Sequence, residues 1–413
     1  MKKKLTLIFL FSLFNLITGY SQKKVDIKVT ILKNGFIFDD KFDLKTGSII
    51  IKGNQIADIL YTDNFSVYPE ATIIDITRKY VMPGLIDTHV HLATAPNLTR
   101  EKSNKYMEDQ LSKMIYAGIT TVRDMTGNAI ILADYKQVST LNQLPAPSIF
   151  YAAQFAGPDY FNSMRKYTTE KDTPWQRTIT DTTNIKMVVA EAKGAGVTGI
   201  KIYNDLSARM IRKIVKKAKK QGLQSWSHAA VFPATPTDVA AAKVNSMSHA
   251  FDIPYGFSSG KMDHSKKIPA IDTTKMDKLL LLMKANNVIL DATNYMGNNN
   301  KLFDGMKITK RAHELGVKVS TGTDWPYLFE KDNIVPLFKE IKILTDSCGF
   351  TNKDVLISAT KIGAESIGVE DRGVIAVGKR ADLYITNSDP VQNIENLKDG
   401  FMTVKSGIIY KKE

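Results

Sequence analysis

From Gly84 to Gly368 short β-branched runs alternate with segments of helical periodicity, and this alternation limits the available folds more than any other feature. Repeated strand-helix units build a parallel sheet covered by helices. Strand-like segments fall in order at residues 85–92, 120–124, 148–153, 199–203, 224–228, 246–249, 288–292 and 318–324. Helical segments at 186–196, 207–222, 273–287 and 307–316 lie between several of them, the first two closed by Gly196 and Gly222. Eight such units predict a (β/α)8 barrel, which needs about 250 residues, and the span supplies them. Both flanks of the barrel are rich in strands: VTILKNGFIF, GSIIIKGNQIADIL and TIIDITRKYVMP before it, GVIAVGKRADLYITN and FMTVKSGIIYKK after it. Asn34-Gly35 and Lys52-Gly53-Asn54 read as turns between short strands. The expected organisation is therefore α/β, a (β/α)8 TIM barrel over 83–370 with a small β-sandwich domain assembled from 22–82 and 371–413.

The first residues have a different character. Lys2, Lys3 and Lys4 precede the apolar run LTLIFLFSLFNLI, and Gly19 and Ser21 stand at −3 and −1 to a cut before Gln22. That layout is a secretory signal peptide over 1–21. A membrane span needs about 20 apolar residues, so no anchor is expected once this segment is cleaved. The chain is thus expected to be exported, periplasmic or secreted. Cys348 is the single cysteine, so a disulfide within the chain is excluded. The formal net charge of +14 suits a solvated surface or the attraction of anionic substrates. No basic helix interleaved with aromatics appears, which argues against nucleic acid. The densest basic stretch, KIVKKAKK at 213–220, has the spacing of an exposed helix face. Self-association into a homo-oligomer is compatible with the sequence.

Only six histidines occur, and two of them share VMPGLIDTHVHL. Side chains two apart on a strand point the same way, so His89 and His91 face one side at the C-terminal end of the first barrel strand. That end is where barrel active sites are built. His228 closes the fifth strand, His249 the sixth, and Asp324 the eighth. Lys201 lies in GIKIY between two isoleucines, where an unpaired ammonium is costly to bury. Four histidines and one carboxylate at equivalent rim positions point to a metal site rather than to core packing. His264 and His313 lie elsewhere and read as surface residues. Imidazole and carboxylate donors without thiolate suit zinc or a similar divalent ion. A buried lysine with a depressed pKa can be neutral, and a neutral amine can take up carbon dioxide as a carbamate able to bridge two ions.

These residues, with the TGTDWP segment around Asp324 and the closing GVIAVGKRADLYI, resemble the amidohydrolase superfamily, and within it the imidazolonepropionase-like and prolidase-like group. The resemblance covers the chain from about Val29 onward. It implies one divalent ion held by His89, His91, Lys201 and Asp324. A second is held by carbamylated Lys201 with His228 and His249, and a single ion remains if Lys201 is unmodified. It also implies hydrolysis of an amide-type C–N bond by a metal-activated hydroxide, with Asp324 moving the proton from water to the leaving amine.

Substrate choice should come from the loops after each strand. The segment after the first strand, ATAPNLTREKSNKY, reads as a polar, basic loop, and AGPDYFNSMRKYTTEKDTPW after the third as a long loop of the lid type. Arg123, Tyr160, Tyr203 and Trp325 are the candidate substrate contacts, either as core packing or as an anchor for a substrate carboxylate beside an aromatic wall. A small-molecule substrate such as a dipeptide or N-acyl amino acid fits that anchor. A cyclic-amide hydrolase or deaminase would use the same metal site. A catalytically dead scaffold should lack ligands, and none is missing.

Overall fold

The structure is a computed structural model that describes residues 28–93, 100–164, 172–258, 269–296, 300–324 and 335–411. The expected signal peptide, His264 and Trp325 lie outside the described residues. Among the described residues, no helix is long and apolar enough to cross a membrane.

The barrel strands are Leu85–Val90, Ile119–Asp124, Ser148–Ala156, Gly199–Ile202, Gln224–His228, Ser246–Ser248, Ile289–Asp291 and Val319–Ser320, paired in that order and all parallel. They are largely buried on both faces because helices cover the outside and side chains fill the inside. All six residues of Leu85–Val90 and all six of Ile119–Asp124 are buried. The eighth strand returns to the first: Thr88 N–H donates to the Thr321 carbonyl at 2.9 Å, and Asp324 N–H to the His89 carbonyl at 2.7 Å. The barrel is closed by these bonds.

The covering helices show why the sequence breaks where it does. In Ala208–Lys220 the Ser207 hydroxyl accepts from Met210 N–H, satisfying one orphan donor of the first turn. Met210, Ile211, Ile214 and Ala218 face the barrel, and the lysines of KIVKKAKK stand outward or half-buried, as the spacing predicts. Thr235 and Asp238 form a reciprocal capping box at the start of Pro236–Ala241.

Strands from the two flanks share one eight-stranded sheet around their own apolar cluster, which includes Leu32, Ile49, Val81, Leu383 and Val404. Tyr80–Pro83 is its hinge. It lies parallel to Val29–Phe38 on one side and antiparallel to Leu383–Thr386 on the other. The next residues enter the barrel at Leu85, so the Pro83-Gly84 pair is the crossing point.

Three local expectations differ from the structure. Asn34-Gly35 does not turn the chain; it is a bulge inside the single strand Val29–Phe38, with Asn34 at φ 62°. A bulge and a turn use the same permissive residues, so the dipeptide alone does not separate them. Lys52-Gly53-Asn54 does turn, between Leu44–Lys52 and Gln55–Leu60. From Arg100 the expected loop after the first strand is already the helix Arg100–Tyr116, whose acidic and basic residues from Glu101 onward are exposed. The expected lid after the third strand, 156–175, contains the helix Pro158–Met164 and is followed directly by the strand Gln176–Thr178, which pairs with Ser148–Ala156.

Gly118 joins the helix Arg100–Tyr116 to the second barrel strand at φ +84°. A Cβ there would lie 2.3 Å from the ring of Tyr384, which is buried between barrel and terminal sheet. Gly118→Ala is expected to lower unfolding stability by about 2 kcal/mol or more, read as a shift of the urea midpoint, while metal binding of the folded fraction stays unchanged.

Candidate metal centre

The strand ends bring the predicted ligands to one rim. His89 and His91 flank Val90 with ring centroids 5.3 Å apart. His249, just after the sixth strand, sits 5.0 Å from His89 and 4.7 Å from His228 by ring centroids. Asp324 reaches across the closure: one carboxylate oxygen lies 3.2 Å from His89 Nε2 and 2.8 Å from His91 Nε2. His89, His249 and Asp324 each offer a ligand atom within 4.8 Å of the others. His249 and Asp324 both adopt left-handed backbone, at φ 71° and φ 59°. Strain of that kind in non-glycine residues is tolerated where the surroundings enforce it, and it gathers at functional sites.

The imidazoles are held from behind. His89 Nδ1 is 2.8 Å from Asp291 Oδ2, and His91 Nδ1 is 3.1 Å from the Thr126 carbonyl. His228 Nδ1 is 3.2 Å from Asn204 Oδ1, and His249 Nδ1 is 2.9 Å from Thr293 Oγ1. The Nδ1 of every ring is thus occupied, and Nε2 of His89 and His91 faces Asp324, the arrangement that fixes histidine ligands around a metal. The fit is sharpest at His89, whose Nε2 is buried without a hydrogen-bond partner although it points at a carboxylate oxygen. Two lone-pair donors facing each other in a buried space call for a cation between them.

The electrostatics agree. Burial holds His228 and His249 well below the usual imidazole range, so both are neutral and fit to ligate. Burial alone would raise the Asp324 carboxyl, but His89 and His91 outweigh it and keep Asp324 ionised. Lys201 is fully buried and donates to Ser248 Oγ at 2.6 Å. Desolvation brings its pKa down to about 7 against the pull of Asp291. A substantial neutral fraction therefore exists at physiological pH.

The candidate substrate residues divide. Tyr203 stacks beside His228 at 4.2 Å between centroids, and its hydroxyl lies 3.0 Å from Thr126 Oγ1. Tyr160 packs on Tyr203 at 5.3 Å, forming the aromatic wall. Arg123 is not at the rim. Its guanidinium is wholly buried and committed to Thr88, Ser246, Asp291 and Ser366, so it cannot anchor a substrate carboxylate. Strand periodicity gives the side chain's face but not its depth in the barrel, and Arg123 lies one layer below the ligands. His313 is remote, stacked on Phe350 at 3.8 Å. Asp291 was not among the candidates. Its signal was available as a carboxylate bracketed by Leu290 and Ala292 in a strand with no other polar residue.

The model of the amidohydrolase family matches residues 80–409. The chain belongs to the amidohydrolase family. Over 402 residues it is 24% identical to a 5'-deoxyadenosine deaminase of Methanosphaera stadtmanae, covering 88% of this chain and 87% of that one. An imidazolonepropionase of Fusobacterium nucleatum is 24% identical over 408 residues, with 88% and 87% covered. Among solved structures, a Xaa-Pro dipeptidase with bound methionine in the active site superposes with a TM-score of 0.75 at 22% identity, covering 93% of this chain and 100% of that one. This amidohydrolase is thus a hydrolase acting on C–N bonds, with a barrel and β-sandwich of the family's kind.

Lys201 gives a direct test of the buried charge. Its folded pKa of about 7 lies below the usual 10.5, so between those values the unfolded chain holds more protons and stability rises with pH. The metal-free protein is expected to gain stability from pH 7 to pH 10 relative to Lys201→Met, followed by thermal melts. Parallel curves for the two proteins would contradict the buried, proton-shedding lysine.

Proposed function

We propose that this amidohydrolase is an exported enzyme that hydrolyses the amide bond of a dipeptide or N-acyl amino acid at a site holding two divalent ions, zinc being the best match to the donor set. The observation that carries the proposal is Lys201, a fully buried amine with a pKa near 7 that influences, and is influenced by, the ligand-type side chains around it. A neutral Nζ attacking carbon dioxide forms an N–C bond and releases one proton, giving a carbamate whose two oxygens replace an awkward cation with two ligand atoms. His89, His91 and Asp324 would hold one ion, His228 and His249 the other, and the carbamate would supply the further oxygen ligands. Such a pair lowers the pKa of water, which supplies a nucleophile near neutral pH.

The chain's own groups do the rest. Asp324, anchored through its N–H on the His89 carbonyl, takes the proton of the attacking water and returns it to the leaving nitrogen. Tyr203 and Tyr160 close the wall beside His228. With Arg123 buried below, recognition of a substrate carboxylate falls to other donors. Gln176 Nε2 donates to Gln154 Oε1 at 2.9 Å, which orients the Gln154 amide. Gln154 Nε2 in turn donates to the Tyr160 hydroxyl at 3.0 Å, leaving the phenol proton to donate to substrate.

A second reading, deamination of a purine-type substrate, is supported by the likeness to the 5'-deoxyadenosine deaminase. Metal content and a substrate screen separate the two. Purified protein is expected to carry about two metal equivalents per chain, and Lys201→Ala about one. Dipeptides and N-acyl amino acids should be turned over and aminopurines and lactams left intact. Tyr160→Phe should raise KM for the carboxylate substrate about tenfold with kcat little changed. Ammonia release from an aminopurine with one metal per chain would favour the deaminase. Export is proposed from the N-terminal sequence, and N-terminal sequencing of protein from the extracytoplasmic fraction should begin at Gln22.

A further inference from the structure

Beneath the rim, the two halves of the ligand set meet at one carboxylate. Asp291 Oδ2 accepts from His89 Nδ1 at 2.8 Å, from Ser248 Oγ at 3.0 Å and from Arg123 Nη2 at 3.1 Å, while Oδ1 accepts from Thr88 Oγ1 at 2.9 Å. Ser248 also accepts from Lys201 Nζ at 2.6 Å, so Asp291 and Ser248 together link the first-strand histidine to the fourth-strand lysine. Asp291 is wholly buried, as is its cationic neighbour.

Arg123 is itself held from several directions. Nε donates to the Thr88 carbonyl at 2.5 Å, and Nη1 to Ser246 Oγ at 3.2 Å and to both the carbonyl and hydroxyl of Ser366 at 3.0 Å. Its guanidinium lies 4.7 Å from the centre of the Trp226 ring, and the indole N–H donates to the same Ser366 carbonyl. Gly322 completes the fit. A Cβ at that position would stand 2.2 Å from Asp291 Oδ1 and 2.7 Å from His89 Cβ, so only glycine lets the eighth strand pass this close.

We propose that Asp291 and Arg123 are positioning residues: together they fix the proton of His89 on Nδ1 and aim its Nε2 lone pair at the space shared with Asp324. The carboxylate can only accept, so the His89 nitrogen facing it must donate, and the opposite nitrogen is left as the ligand. Arg123 holds Asp291 in place because its planar fork makes several bonds in one plane, which a lysine cannot reproduce. This role rests on the metal-site reading only for its purpose, since the tautomer itself exists without metal.

The test uses the whole chain, metal-free, with 15N-labelled histidine. Imidazole NMR should show His89, assigned by its loss in His89→Ala, protonated on Nδ1. Asp291→Asn should abolish that preference and weaken cobalt(II) binding about tenfold to a hundredfold in chelator competition. Arg123→Met should act in the same direction, and Arg123→Lys should recover part of the loss. A His89 ring protonated on Nε2 in the unaltered protein would overturn the proposal without any variant. Folded Asp291→Asn with wild-type tautomer and cobalt affinity would overturn it too. A wild-type chain that binds no cobalt would instead defeat the metal reading, because the tautomer is read in its absence.

Discussion

One backbone hydrogen bond makes the site: Asp324 N–H donates to the His89 carbonyl where the eighth strand meets the first. It joins residues from opposite ends of the barrel sequence and sets their side chains against each other over the rim. Asp324 makes it in left-handed backbone, and Gly322 is needed two residues earlier to let the strands approach. The remaining candidate ligands follow from closure. Once the first and eighth strands pair, strands four to six are carried to the facing side, and Lys201, His228 and His249 complete the ring.

Closure concentrates polar groups that a hydrophobic interior would otherwise reject. Arg123, Lys201, Asp291 and Asp87 are all buried, and desolvation drives Lys201 down to about 7 and Asp87 up to about 7. Such groups are tolerated only when paired and hydrogen-bonded. Here the pairing is shared: the carboxylate of Asp291 serves His89, Arg123 and Ser248 at once, and Thr323 Oγ1 donates to Asp87 at 2.7 Å. The stability forgone in burying these charges is returned as order at the rim, where each ring nitrogen that could ligate has its partner nitrogen fixed.

Much of this was legible in the sequence, and the physical reasons are particular. The alternation of strand and helix periods carried the barrel, because a two-residue and a 3.6-residue repeat cannot be confused over eight units. The strand ends carried His89, His91, His228, His249 and Asp324, because the C-terminal rim is fixed by the fold. Depth was not legible. Arg123 and His91 both sit near strand ends and both point inward, yet strand tilt and stagger place one in the core and the other at the rim. Asp291 escaped for the converse reason, since an acid between apolar neighbours reads equally as ligand or anchor until its partners are seen. Nor does any residue pattern announce the left-handed backbone at His249 and Asp324. The bulge at Asn34-Gly35 shows the same limit, a local signal whose outcome depends on the partner strand.

The most direct measurement is diffraction from crystals of the protein grown with zinc and bicarbonate, with anomalous data collected at the zinc edge. Two peaks should appear at the rim, one ligated by His89, His91 and Asp324 and one by His228 and His249, with density for a carbamate extending from Lys201 Nζ between them. Zinc bound elsewhere, or an unmodified Lys201 still hydrogen-bonded to Ser248 with a single peak beside it, would contradict the two-ion site.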